Sequence, residues 1–129
     1  RLYNPIMQPD TTNSLFVTPR VEGRCLTLAL RGPSINERES NIITTEASTI
    51  IEQADDVCSF LVLDMRDVSF ISSMGIGMLL DLRNRAGRRD MKIVLAHVGE
   101  QLNALLSIVK LEKVLSVCTS DRDLKRALR

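Results

Sequence analysis

Apolar positions along this chain follow two rhythms: short, nearly continuous runs, and longer stretches with apolar residues three and four apart. The first is the pattern of strands and the second that of helices with one buried face. Leu15–Val21 reads as a strand, and Pro19 places it at a sheet edge because proline has no N–H for a ladder. Glu22-Gly23 is the turn candidate, and Cys25–Leu30 is apolar enough for a more central strand, ended by Gly32-Pro33. Together these segments predict an opening β-hairpin. Ser34–Asn41 is polar and reads as a loop. A helix is expected from about Ile42 to Ala54, with Ile43, Ala47, Ile50, Ile51 and Ala54 on one stripe.

Phe60–Met65 is a run apolar on successive positions, the signature of a strand covered on both faces. The next helix is predicted over about Ser73–Ala86, with Gly87 as its C-terminal cap. Its inward stripe is expected to be Ile76, Leu79 and Leu80, and Met74 and Met78 are expected to share a more exposed flank. Lys92–Ala96 is a further buried strand and Glu100–Ile108 a short helix with Leu102, Leu105 and Leu106 on one side. Val114–Cys118 reads as the last strand. Thr119, Ser120 or Asp121 can cap a final helix over Arg122–Leu128.

This order defines an α/β chain: a mixed sheet of about five strands with about four α-helices, largely parallel in its second half. Right-handed crossovers would put successive helices on one face wherever strand order advances in one direction. Residues 1–14, polar and carrying Pro5 and Pro9, read as a flexible N-terminal arm, and 15–129 as a single domain.

Composition narrows the function. With 17 basic and 16 acidic residues the net charge is +1, and only 3% of residues are aromatic. A basic stripe interleaved with aromatics is missing, which argues against direct nucleic-acid binding. No run approaches the ~20 apolar residues that span a bilayer, so no membrane insertion is expected. Cys25, Cys58 and Cys118 are widely spaced and odd in number, which fits buried thiols in a reducing, cytoplasmic compartment. His97 is the only histidine and has no motif around it, and Asp64 and Asp67 are two carboxylates without further metal ligands. Neither supports an enzyme, a cofactor or a metal site, and the two aspartates read better as loop-capping or partner-facing groups.

The informative stretch is Leu61–Leu80, LVLDMRDVSFISSMGIGMLL. A buried strand ends at Asp64, a charged loop follows, and Phe70-Ile71 anchors the chain before Ser72-Ser73 and Gly75-x-Gly77. Hydroxyls are thereby presented at a helix start, where free N–H groups and the helix dipole favour negative charge. Ser72-Ser73 reads either as a capping pair or as a site for a phosphate. The glycines lower helix propensity by about 1 kcal/mol each, which points to close approach to the sheet or to a partner backbone. Gly75-x-Gly77 lacks the third glycine of a dinucleotide loop.

Phe70-Ile71-Ser72-Ser73-Met74-Gly75-Ile76-Gly77 resembles the signature of the STAS domain, the module of sulfate transporters and bacterial anti-sigma-factor antagonists. The resemblance covers about residues 15–128 and implies a STAS-like fold. It implies Ser73 as the phosphoacceptor, with Ser72 as a second candidate, and a partner surface including Asp67, Ser72, Met74, Gly75, Gly77 and Met78. By the same resemblance the partners are an anti-sigma factor that is also a serine protein kinase, and a PP2C-type phosphatase. Two departures stand out. The acidic residue that precedes the family's phosphoacceptor is Ser72 here, and Pro33-Ser34-Ile35 follows Gly32 where relatives often carry an acidic pair. The resemblance leaves two roles open, a phosphorylation-switched antagonist or a non-catalytic scaffold in a transporter or stressosome-like sensory assembly.

Overall fold

A computed structural model describes residues 16–129, so the arm expected at 1–14 lies outside the described residues. The strands are β1 (Val17–Glu22), β2 (Cys25–Leu30), β3 (Ser34–Ile35), β4 (Phe60–Asp64), β5 (Phe70–Ile71), β6 (Lys92–Ala96) and β7 (Ser116–Val117). The helices are α1 (Glu37–Gln53), α2 (Ser73–Arg88), α3 (Glu100–Ile108) and α4 (Asp121–Ala127), with one 3-10 turn at Leu111–Lys113.

The main sheet has the order β1-β2-β4-β6-β7. β1 pairs antiparallel with β2, and every later pair is parallel. Pro19 sits in β1, at the sheet edge, as its missing N–H requires. Because strand order advances one way, α1, α2 and α3 all pack on one face. Ile43, Ile50 and Ile51, Leu79 and Leu82, and Leu102 and Leu106 close over Leu26, Leu28, Leu61, Leu63, Ile93 and Leu95. The alternate residues of the same strands, Phe60, Val62, Val94 and Ala96, face the other way and meet Leu124 and Ala127 of α4 and Leu128 just after it. The unbroken apolar runs of β4 and β6 are thus explained by cover on both faces.

Several boundaries differ from expectation, each for a local reason. Glu22 pairs with Cys25, so the hairpin turn is Gly23-Arg24, one residue later than expected, with Gly23 at φ 57°. α1 begins at Glu37 rather than near Ile42, and most of the expected 34–41 loop is structured. Glu39 reaches back to accept the Asn36 N–H at 3.0 Å, a capping contact that starts the helix early. Ser34-Ile35 forms a two-residue parallel ladder with Phe70-Ile71. Gly87 lies inside α2 and is not its cap; the helix ends at Arg88 and the left-handed residue is Asp90 at φ 58°. Of the expected last strand only Ser116-Val117 is extended, because Leu111–Lys113 turns as a 3-10 helix just before it. Ser120 is the cap of α4, accepting the Asp123 N–H at 3.1 Å.

Candidate functional site

The β3–β5 ladder exists to hold the start of α2. Pro33 O accepts the N–H of Ser69 at 2.9 Å and of Phe70 at 3.1 Å, and Ile35 O accepts the Ser72 N–H at 2.9 Å. Gly32 lets this loop come close: a Cβ there would stand 2.4 Å from the Asp67 carbonyl oxygen. Asp67 itself is exposed on the β4–β5 loop. Asp64 caps that loop, its Oδ1 accepting the Arg66 N–H at 3.0 Å.

At the helix start the two serines are placed differently. Ser72 is the N-cap: its Oγ accepts the Gly75 N–H at 3.3 Å and its carbonyl accepts the Ile76 N–H at 2.9 Å. Ser73 is the first helical residue and is exposed. The N–H groups of Ser73 and Met74 precede the first helical bond and have no partner among the described residues. The first turn of α2 carries no acidic residue, whereas α1 has Glu37 and Glu39 there. The positive end of the α2 dipole therefore faces solvent beside an exposed hydroxyl, without a side-chain anion to offset it.

A shallow groove of about 250 Å³ runs from Ser73 between α1 and α2. Met74, Gly77, Met78 and Asp81 line it from α2, and Ser40, Asn41 and Thr44 from α1. Met74 is 49% exposed, and Phe70 at 39% adds apolar surface nearby. Met78, by contrast, is only 4% exposed, so the two methionines do not share an exposed flank. A spacing of four places them on one side, but Met78 lies a full turn deeper, where α2 meets α1. Leu80 is likewise not inward, at 36% exposure; the true buried stripe is Gly75, Met78, Leu79, Leu82 and Ala86.

The glycines also separate. Gly75 is buried, and a Cβ would stand 2.2 Å from Ile71 Cγ1 and 3.1 Å from Ile35 O, so its use is contact with the β3–β5 ladder. Gly77 has open space at the corresponding position and is exposed on the groove. Of the residues singled out from sequence, the structure brings together Ser73, Met74, Gly77 and Met78 on one groove. Asp67 stands apart on its loop, and Gly75 turns inward. The α1 side of the groove was missed because Ser40 and Asn41 fell in an expected loop; the Asn36-x-x-Glu39 spacing was the signal that could have found it.

Burial pushes the thiols of Cys58 and Cys118, and of half-buried Cys25, above their ordinary range, which disfavours the thiolate. No group of three or more His, Cys, Asp or Glu suited to a metal ion occurs among the described residues. No helix among them is long and apolar enough to cross a membrane.

The sheet order, the ladder-held helix start and the exposed serine define a STAS-type architecture. The family model of the STAS domain matches residues 17–124, and the chain belongs to the STAS domain family. Among curated proteins it is 33% identical over 73 residues to sulfate transporter 3.2 of Arabidopsis thaliana, a match covering 57% of this chain and 11% of the transporter. The chain thus spans about a tenth of that relative's length. An anti-sigma-factor antagonist (STAS) domain protein from Planctomyces limnophilus superposes with a TM-score of 0.74 at 14% identity, over 90% of this chain and 100% of the other. The phosphorylated form of the Bacillus cell fate determinant SpoIIAA superposes with a TM-score of 0.59 at 16% identity, over 86% of this chain and 98% of the other. At such identities the superpositions speak for the fold.

Proposed function

We propose that this domain is an anti-sigma-factor antagonist, a non-catalytic cytoplasmic binding module switched by phosphorylation of Ser73. Unphosphorylated, it uses the α1–α2 groove to bind an anti-sigma factor that is also a serine protein kinase, which frees a sigma factor. Phosphorylation of Ser73 breaks that complex, and a PP2C-type phosphatase restores it. The observation that carries the reading is the exposed Ser73 hydroxyl at the first position of α2, on the rim of a partly apolar groove.

The physical logic is electrostatic. A phosphate adds about −1.5 to −2 charges and three acceptor oxygens at neutral pH. On Ser73 it lies near two free N–H groups of its own helix, and beside Met74 and Phe70 it places a charge that an apolar partner surface would have to desolvate. Ser72 is the less favourable acceptor, because its Oγ already receives the Gly75 N–H.

The test uses unphosphorylated wild type, Ser73→Ala and Ser73→Asp as matched baits in cell extract, with captured proteins identified by mass spectrometry and their affinities measured by calorimetry. Wild type and Ser73→Ala are expected to retain a serine kinase that Ser73→Asp binds at least about tenfold more weakly, about 1.4 kcal/mol. Equal affinity for all three proteins would remove the switch. A second reading, a scaffold in a transporter or sensory assembly with Ser73 acting only at the helix start, is favoured by the sulfate-transporter match. It predicts constitutive co-purification with membrane components and no Ser73 phosphopeptide after incubation with the kinase and ATP.

A further inference from the structure

The face of the sheet opposite α1 and α2 is only partly covered. α4 is short, and its Leu124, with Leu128 just after it, roofs the β4–β6 side. Strand register fixes what lies beside and beneath them. Thr27 on β2 pairs with Val62 on β4, and Asp64, two residues beyond Val62, pairs with Ala96 on β6. Residues two apart on a strand share a face, so Thr27, Val62, Asp64 and Ala96 form one surface. Together with His97 they line a cavity of about 130 Å³, with the Arg20–Glu22 ion pair on its outer side.

One buried polar group in this cavity, Thr27, lacks a partner, and a second, Asp64, is engaged through one oxygen only. Thr27 is only 7% exposed, and its hydroxyl makes no hydrogen bond among the described residues. Asp64 is 16% exposed in its side chain; Oδ1 accepts the Arg66 N–H at 3.0 Å and lies 3.9 Å from the Arg66 guanidinium, whereas Oδ2 has no hydrogen-bond partner among the described residues. A core position that asks only for packing would carry valine in place of an unpaired threonine.

We propose that this cavity is a ligand site for a small organic cation with an apolar body. The ammonium or amidinium group sits against Asp64 Oδ2 and Thr27 Oγ1, and the body lies along the apolar lining formed by Val62, Ala96, Leu124 and Leu128. Size limits the class: a cavity near 150 Å³ takes up a single six-atom ring, so the ligand has roughly six to eight heavy atoms. Charge limits it further: Arg20 and Glu22 offset each other at 3.0 Å, Arg66 meets Asp64 only through Oδ1 at 3.9 Å, and Oδ2 is the carboxylate oxygen on the cavity lining without a hydrogen-bond partner among the described residues. The site is separate from the groove at Ser73 and does not depend on the switch.

The test is NMR titration of the folded chain with benzylamine, benzyl alcohol and benzoate, which share one ring and differ in charge. Benzylamine is expected to shift the amide resonances of Thr27, Asp64 and His97 saturably at millimolar concentration, with benzoate at least about tenfold weaker. Asp64→Asn keeps an oxygen for the Arg66 N–H and removes the charge; it should weaken benzylamine about tenfold. Thr27→Val is close in shape and should weaken it about threefold, while raising the melting temperature of the free protein by removing an unpaired hydroxyl. Non-saturable shifts, equal binding of benzoate, or binding untouched by both variants would each overturn the proposal.

Discussion

Gly75 and Gly77 stand two residues apart on α2, and the same added methyl group should act on them in opposite directions. At Gly77 a Cβ meets nothing within 4 Å. The exchange for alanine then contributes only helix propensity, about 1 kcal/mol of stabilisation, part of it through a less disordered unfolded chain. For a domain of this size that raises the melting temperature by roughly 4 °C. At Gly75 the same propensity gain is opposed by a Cβ 2.2 Å from Ile71 Cγ1 and 2.9 Å from Ile71 Cδ1. Ile71 is 1% exposed and has nowhere to retreat. Overpacking costs about 1–3 kcal/mol, and here it must displace the ladder that holds the start of α2, which puts it in the upper part of that range, about 2–3 kcal/mol, so Gly75→Ala should be destabilised by about 1–2 kcal/mol net. Urea denaturation with unchanged slopes reads both values. Binding supplies the second axis: a methyl at Gly77 projects onto the groove, so Gly77→Ala should bind the kinase partner about tenfold more weakly while being the more stable protein. A destabilised Gly77→Ala or a neutral Gly75→Ala would refute the packing argument, and full affinity in Gly77→Ala would refute the groove as the docking surface.

Other consequences follow from how the helices are ended. α1 has no basic residue in its last turn, and Arg89, just past α2, takes that place: its guanidinium donates to the carbonyls of Ile51 at 2.9 Å, Ala54 at 2.7 Å and Glu52, and to Asp56 at 3.1 Å. Arg89→Met keeps the stem and leaves these C-terminal carbonyls without their cation, so chemical denaturation should show a loss of about 2 kcal/mol, discounted for partial exposure. A loss below about 0.5 kcal/mol would mean water replaces the guanidinium. Glu39 responds to pH: the Asn36 N–H, and next its own, hold its carboxyl below the ordinary value of 4.5. A depressed carboxyl contributes stability that is present above 4.5 and is lost as pH falls through the folded-state value. Glu39→Gln should therefore flatten the acid limb of the stability profile below that pH, and an unchanged limb would sink the capping assignment.

Where neighbouring residues alone decide the backbone, the sequence could be read closely. β6 and α3 have the expected bounds, because Ile93–Ala96 is apolar throughout behind an exposed Lys92, and Gly99 interrupts the run before a leucine-spaced segment. The failures share a different cause: contacts distant in sequence. Ser34-Ile35 is extended because Phe70-Ile71 lies alongside, 36 residues later, and nothing in SINERESN announces that partner. Gly87 looked like a cap because glycine commonly ends helices, but the helix runs past it until Arg89 turns to reach the end of α1. Of the groove, Met74 was legible from helical spacing, whereas Ser73 and Gly77 were singled out through the family resemblance. The depth of Met78 and the whole α1 wall depended on how two helices pack, which period alone does not encode.

The two-serine start of α2 also bears on how such a switch can act without unfolding its own protein. Capping and modification make opposite demands on one hydroxyl: a cap must stay engaged, and a phosphoacceptor must be reachable. Here the demands fall on adjacent residues, Ser72 bonded to the Gly75 N–H and Ser73 exposed. A phosphate on Ser73 would leave the cap intact and bring an anion to a helix end whose first turn has none. The family's usual acidic residue at the position of Ser72 would already offset that dipole. In this chain the phosphate alone would do so, and the charge that stabilises the helix start is the same charge that the partner would have to desolvate. In the proposed switch, tolerance inside the domain and rejection outside it would then have a single electrostatic origin, located on the rim of the groove rather than in the core.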